Sequence, residues 1–173
     1  EVRLVLLGDG LDLVRSSRWL NPEGVRPWSA PGVEQERIVL DILRSTFRAN
    51  RWAIDHLLDI PARIALSGHM PDGPVRLDYV LGNHDWLIDR YASARRLVAD
   101  RLHLDAAYVR DGFPLAFRSP PEAYDVVARH GHVHDRINCA GGEGQQGPSL
   151  GDAIIVELLN RFPLEVGREP DAQ

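Results

Sequence analysis

Apolar and polar positions along the chain fall into stretches of different period, and each period predicts an element. Val2-Arg3-Leu4-Val5-Leu6-Leu7 is apolar with one interruption, the pattern of a central strand covered on both faces. From Val33 to Leu58 the residues Ile38, Ile42, Leu43, Phe47, Ile54, Leu57 and Leu58 recur at helical spacing, while Glu34, Glu36, Arg37, Arg44, Arg48 and Arg51 can face water. This predicts a long amphipathic helix with Asn50 as its candidate break and Pro61 at its end. Asp78-Tyr79-Val80-Leu81 then reads as a short buried strand, and the order strand, helix, strand implies a right-handed crossover and a parallel pair. Leu87, Ile88, Tyr91, Ala94, Leu97, Val98 and Leu102 mark a second helix.

The second half is less regular. Ala106 to Arg110 and Pro114 to Phe117 read as short β pieces turning through Asp111-Gly112, and Tyr124 to Arg129 reads as a further strand. Ser149-x-x-Asp152 resembles a capping box, with Ile154, Ile155, Leu158, Leu159 and Phe162 as the buried stripe of its helix and Pro163 as its stop. The tail beyond Gly167 reads as frayed. The expected class is α/β, a sheet with helices on both faces, in a single domain covering 1–173. Two glycine-containing loops, one carrying Trp19 and Trp28 and the other running from Gly141 to Gly147, are candidate walls of a substrate cleft.

Composition narrows the partners. With 173 residues, 44% hydrophobic and 26% charged, the chain can bury a core without staples. A formal charge of −5 makes nucleic acid a poor default partner, and the acidic groups are available for cations. Cys139 is the single cysteine, which excludes an internal disulfide and fits a reducing, cytoplasmic setting. No apolar run approaches the roughly 20 residues of a membrane span. The chain starts at Glu1, already in a strand-like run, so residues upstream are expected in the parent protein.

The chemistry-bearing residues gather where predicted strands end. The first strand finishes in Gly8-Asp9-Gly10-Leu11-Asp12, the second in Gly82-Asn83-His84-Asp85-Trp86, and the third in His130-Gly131-His132-Val133-His134. Glycine after an apolar run permits a sharp exit, and open α/β sheets place ligand sites at that edge. Each piece alone has an ordinary reading: an acidic turn, a helix cap beside a surface histidine, a solvated histidine cluster. Alternation along an extended segment would point the three histidines to one side, whereas a turn at Gly131 would separate them. Carboxylate, carboxamide and neutral imidazole together suit divalent Mn, Zn or Fe. In two-metal hydrolases a pair of such ions, about 3.5–4 Å apart, polarises a phosphoryl oxygen and supplies metal-bound hydroxide.

These motifs resemble those of the calcineurin-like metallophosphoesterases. Gly8-Asp9-Gly10-Leu11-Asp12 matches G-D-x-x-D, Gly82-Asn83-His84-Asp85 matches G-N-H-D/E, and His130-Gly131-His132 matches a later histidine motif, a resemblance spanning roughly Val2 to Asn138. It implies a layered sheet flanked by helices, two divalent ions (Mn, Fe or Zn), and hydrolysis of a phosphomonoester, phosphodiester or pyrophosphate of a small molecule or lipid. Asp9 would bridge the ions, Asn83 would bind the second, and His130 and His132 would be further ligands. His84 would contact the phosphate and protonate the leaving oxygen, with Asp85 orienting its imidazole; Asp12 would order the loop. A non-catalytic scaffold of the same fold, holding one ion or none, is the alternative. The family's opening D-x-H has no counterpart before Gly8, and one histidine cluster stands where the family has two. Either His130 is the earlier ligand and the final pair lies beyond Gln173, or Gly131-His132-Val133-His134 is itself the final G-H-x-H. The first reading is preferred, because a strand leads into His130 and a helix comes after it. The chain is then a central fragment.

Overall fold

The computed structural model describes residues 2–66, 75–120, 125–140 and 147–167, and among these the architecture is mixed α/β. His69, Tyr124 and residues 141–146 of the second candidate wall lie outside the described residues. Strand β1 (Val2–Leu7) pairs in parallel with β2 (Val75–Val80), from Val2 opposite Val75 to Leu7 opposite Val80. This full register brings the two strand exits side by side. A Cβ on Gly8 would stand 2.5 Å from the Cα of Gly82, so the exits approach more closely than side chains permit. The β1 interruption, Arg3, is neutralised across the pair: its Nε and Nη2 donate to Asp78 Oδ2 and Oδ1 at 2.6 and 2.7 Å. Most of β1 is half-buried, and Leu7 is exposed, so it is not enclosed on both faces among the described residues.

The crossover is three helices rather than one: α1 (Val33–Ala49), α2 (Arg51–Leu58) and α3 (Ile60–Leu66). Asn50 does break the helix. Pro61 does not end it but lies in the first turn of α3, where its missing N–H costs no helical bond. The second predicted helix is likewise divided at Tyr91, which has extended backbone, into α4 (Leu87–Arg90) and α5 (Ala92–Leu102). Ile38, Val39, Ile42, Leu43 and Phe47 of α1 pack with Ala94, Val98, Ala99 and Leu102 of α5 in the main core.

The expected wall residue Trp19 belongs to that core. It is fully buried, with its indole N–H donating to the Leu13 carbonyl at 2.7 Å, whereas Trp28 is partly exposed. The loop around them is held by buried Gln35, whose amide donates to the carbonyls of Arg26 and Pro27 at 2.8 and 3.0 Å. Its carbonyl accepts from Tyr91 Oη at 2.6 Å.

The predicted hairpin through Asp111-Gly112 is absent. Residues Ala107–Arg110 form a short helix, α6, and the antiparallel pair joins β3 (Phe117–Arg118) to β4 (Val127–Ala128), a much shorter strand than expected. Gly112 instead has φ +93° and lies against the Asp89 carboxylate, which accepts from Phe113 N at 2.9 Å. The capping box is present: Ser149 Oγ accepts from Asp152 N, and Asp152 Oδ2 accepts from Ser149 N, opening α7 (Leu150–Ile154). A π turn over Ile155–Leu159 comes next, then α8 (Phe162–Val166), with Pro163 inside its first turn. A π turn inserts a residue and so rotates the face that the succeeding turns present to the core. Ile155 and Val156 are therefore buried, while Ile154, Leu158, Leu159 and Phe162 of the expected stripe are exposed.

Candidate active site

The register of β1 with β2 sets Asp9 and the Asn83-His84-Asp85 turn against each other at the strand exits. Asp9 has φ +53° and Gly8 +74°, a left-handed pair that turns the chain sharply and aims the Asp9 carboxylate at Gly82. Its Oδ1 accepts from His84 N at 2.9 Å. A Cβ on Gly82 would lie 2.1 Å from that same oxygen, and one on Gly8 would lie 2.8 Å from His130 Cδ2. Glycine at both exits is what lets Asp9 and His130 occupy this space.

His130 closes the third side. Its Nε2 lies 3.1 Å from Asp9 Oδ2. On the other edge of its ring, Nδ1 faces His132 Nδ1 at 3.2 Å. Gly131, at φ +90°, makes the turn that separates the histidines: His132 and His134 fall in a single 3-10 turn, and His134 is exposed. Because the two nitrogens of one imidazole point in diverging directions, His132 as placed does not share the Asp9 side of His130. Burial, followed by the charge of His130, pushes the His132 pKa below its ordinary value, with Asp9 opposing.

The orienting partner of His84 differs from expectation. His84 Nδ1 donates to Asp12 Oδ1 at 2.9 Å, not to Asp85. Asp85 is fully buried; it accepts from Tyr79 Oη at 2.7 Å and from Asp12 N at 3.2 Å. It thus acts one step back, fixing the loop that carries the imidazole's partner. The hydrogen bond to Asp12 raises the His84 pKa against the opposing effect of burial, and the nearby Asp9 charge adds to the rise. Burial pushes the Asp85 carboxyl up to about 6 despite the Tyr79 hydroxyl.

Asn83 is nearly buried, and its amide nitrogen points to Asn138 Oδ1 at a long 3.5 Å. Asn138 is braced in turn: a Cβ on Gly151 would lie 2.3 Å from its Oδ1, and Gly151 N donates to the Ile137 carbonyl at 2.7 Å. Trp86 Nε1 donates to Asp152 Oδ2 at 3.0 Å, tying α7 to the same turn. Asp12 was legible as a loop-ordering residue from its motif. Tyr79 was legible only as a strand residue and Asp152 only as a helix cap, and Asn138 carried no spacing signal, because their contacts with the site are made across the fold.

The donors bear partly on the expected ions. Ligands bound at about 2.0–2.2 Å around a tetrahedral ion stand roughly 3.3 Å apart, and the Asp9 to His130 separation of 3.1 Å is close to that. Oxygen and imidazole nitrogen are also the donor types that Mn, Zn and Fe accept. Among the described residues, however, no group of three or more His, Cys, Asp or Glu side chains is arranged to hold a metal. Asp9 and His130 therefore form an incomplete donor set, and the Asn83 carboxamide contacts Asn138. Comparison with family models, curated proteins and solved structures finds no match to this chain. Among the described residues, no helix is long and apolar enough to cross a membrane.

Proposed function

We propose that the protein is a metal-dependent phosphoesterase, acting on a phosphomonoester, phosphodiester or pyrophosphate of a small molecule or lipid. The observation that carries this reading is the convergence of Asp9 and His130, from distant parts of the chain, to 3.1 Å beside the His84 turn. Asp9 and His130 would hold one divalent ion, Mn, Fe or Zn, and Asn83 would contribute to a second, with His132 available as a further ligand only after reorienting. Such ions polarise a phosphoryl oxygen and lower the pKa of water.

The chain's own residues account for the remaining chemistry. The Asp12 carboxylate holds the Nδ1 proton of His84, which leaves Nε2 as the atom that faces substrate. With its pKa raised, His84 carries a proton at Nε2 over a wider pH range and can give it to a departing oxygen. Asp85 and Tyr79 fix the loop from below. The layered sheet implied by the motif resemblance belongs to this proposal, as does the non-catalytic scaffold as its alternative.

The test uses Asp9→Asn, Asn83→Ala and His130→Ala beside the unaltered chain, with metal content measured after dialysis and turnover measured on an aryl phosphate. The expected result is retention of Mn, Fe or Zn by the unaltered chain, with metal-dependent turnover that falls by about 10²-fold or more in each variant. Metal retention without turnover assigns the scaffold. No retained ion by the unaltered chain overturns the phosphoesterase and leaves only a scaffold that holds none.

A further inference from the structure

We propose a second ligand site, away from the strand exits: a basic cleft between the ends of α1, α2 and α5 that binds a phosphate group carried on an apolar body. The cleft has a volume of about 900 Å³. Arg44 and Arg48 come from the last turns of α1, Arg51 from the start of α2, and Arg101 from the last turn of α5. It adjoins a smaller cavity lined by Arg3, Leu4, Val75 and Arg76, residues at the beginnings of β1 and β2, with Leu58 and His103 lining both. The cleft therefore lies toward the opposite end of the strands from Asp9 and Asn83.

The charge balance favours an anion. Four guanidiniums, the carboxylates of Asp55 and Asp100 and the imidazole of His103 line the cleft, and Asp41 stands 3.7 Å from Arg44, so four cationic groups meet three carboxylates in a chain whose formal charge is −5. The C-terminal end of α5 contributes partial negative charge worth about half a unit, while that of α1 is offset by the start of α2 beside it at Asn50, so a small positive excess remains. Among the described residues Arg44 pairs with Asp41 at 3.7 Å and Arg51 with Asp55 at 3.6 Å, both exposed pairs of little strength. Arg48 and Arg101 have no ion-pair or hydrogen-bond partner among the described residues. Two exposed guanidiniums on packed helices, unclaimed by carboxylates, offer the forked donors that match phosphate oxygens.

The floor selects what the phosphate is attached to. Phe47, Ile54, Leu58 and Leu97 line the cleft beneath the arginines, so a ligand with a short apolar chain gains burial that inorganic phosphate cannot. This reading does not depend on the phosphoesterase proposal. The two fail separately, because Asp9 and Asn83 take no part in the cleft.

The test measures binding of hexylphosphonic acid, which cannot be hydrolysed at phosphorus, and of inorganic phosphate by calorimetry. A third arm measures association with phosphatidic acid vesicles. The full chain is compared with the double variant Arg48→Gln/Arg101→Gln and with Asp9→Asn. The expected result is that hexylphosphonic acid or the vesicles bind at least about tenfold more tightly than inorganic phosphate. The double variant loses about tenfold or more of that affinity with an unchanged thermal midpoint, and Asp9→Asn keeps it. Binding of the free phosphonate assigns a soluble ligand, and binding of vesicles alone assigns the same phosphate to a lipid headgroup. Equal binding by the double variant, or no preference over inorganic phosphate, overturns the proposal.

Discussion

The Asp12 carboxylate accepts the Nδ1 proton of His84 at 2.9 Å, and the backbone N–H of the same Asp12 donates to buried Asp85 at 3.2 Å. Two motifs that lie far apart in the chain are joined through one residue. Asp12 itself has φ +38°, a conformation that asparagine or glycine adopts more readily, so its position depends on being held from both ends. The consequence is a relay from Tyr79 through Asp85 and Asp12 to His84, in which each partner restricts the next.

Replacing Asp12 tests the relay directly. Burial, the largest single effect on the Asp12 carboxyl, raises its pKa, but the hydrogen bond and charge of His84, aided by Arg15, together bring it below its ordinary value. The folded-state pKa of His84 is raised, so its contribution to stability is complete below 6.5 and is lost as pH rises through the folded value. That of Asp12 is lowered, so its contribution is present above 3.8 and is lost as pH falls through the folded value. The pair therefore stabilises most between those two ordinary values. Asp12→Asn is expected to cost about 1 kcal/mol near pH 5.5 and less above pH 8, and to move the His84 titration, followed by NMR, down toward 6.5. An unmoved titration would show that another group sets the charge of His84.

Tyr79→Phe removes the hydroxyl donor from a fully buried carboxylate. Asp85 already has its pKa raised to about 6, mainly by burial, so the folded state favours its neutral form and stability falls as pH rises between 3.8 and about 6. Without the Tyr79 hydroxyl the charged form loses a hydrogen bond and the pKa rises further. The expected cost is about 1–3 kcal/mol, larger at pH 8 than at pH 4.5, read from urea midpoints at the two pH values. A cost independent of pH would mean that Asp85 does not ionise in the folded protein.

Gly82→Ala puts a methyl group 2.1 Å from Asp9 Oδ1 and 2.6 Å from Asp9 N. The obstacle includes backbone, which cannot swing aside as a long side chain can. A loss of about 3 kcal/mol or more is expected from forced displacement at the exits, seen as a lowered thermal midpoint. Gly24→Ala, with φ +72° and nothing within 4 Å, is expected to cost only about 1 kcal/mol from backbone strain. Equal shifts in the two variants would contradict the close approach of Asp9 to Gly82.

Asp152 provides a contrasting case. It is fully buried, its Oδ2 serves Trp86 and Ser149, and its Oδ1 has no hydrogen-bond partner among the described residues. Burial raises its pKa, with the donors from Ser149 and Trp86 opposing. Asp152→Asn keeps an acceptor for Trp86 and removes a buried charge, so its stability at pH 7 is expected to lie within about 1 kcal/mol of the unaltered chain. Asp152→Ala removes the acceptor as well and is expected to cost about 2–3 kcal/mol. Denaturant unfolding of both variants distinguishes a cap that needs only an acceptor from one that needs the charge.

What the sequence determined by itself is local. The apolar run before Gly8, the helical period from Val33 and the Ser149 to Asp152 cap each depend on residues a few positions apart, so the parallel pair, the crossover and the capping box could all be read from spacing. The strand-end motifs at Asp9 and Asn83 were legible for the same reason. Only the tertiary structure decided which groups meet. The full register of β1 with β2, and the absence of a Cβ at Gly8 and Gly82, place Asp12 rather than Asp85 on His84 and bring His130 to Asp9. It also decided that Trp19 is core and that Leu158 and Phe162 are not. Burial is a property of what lies across from a residue, and a single π turn or a loop packed inward changes that without altering the pattern along the chain.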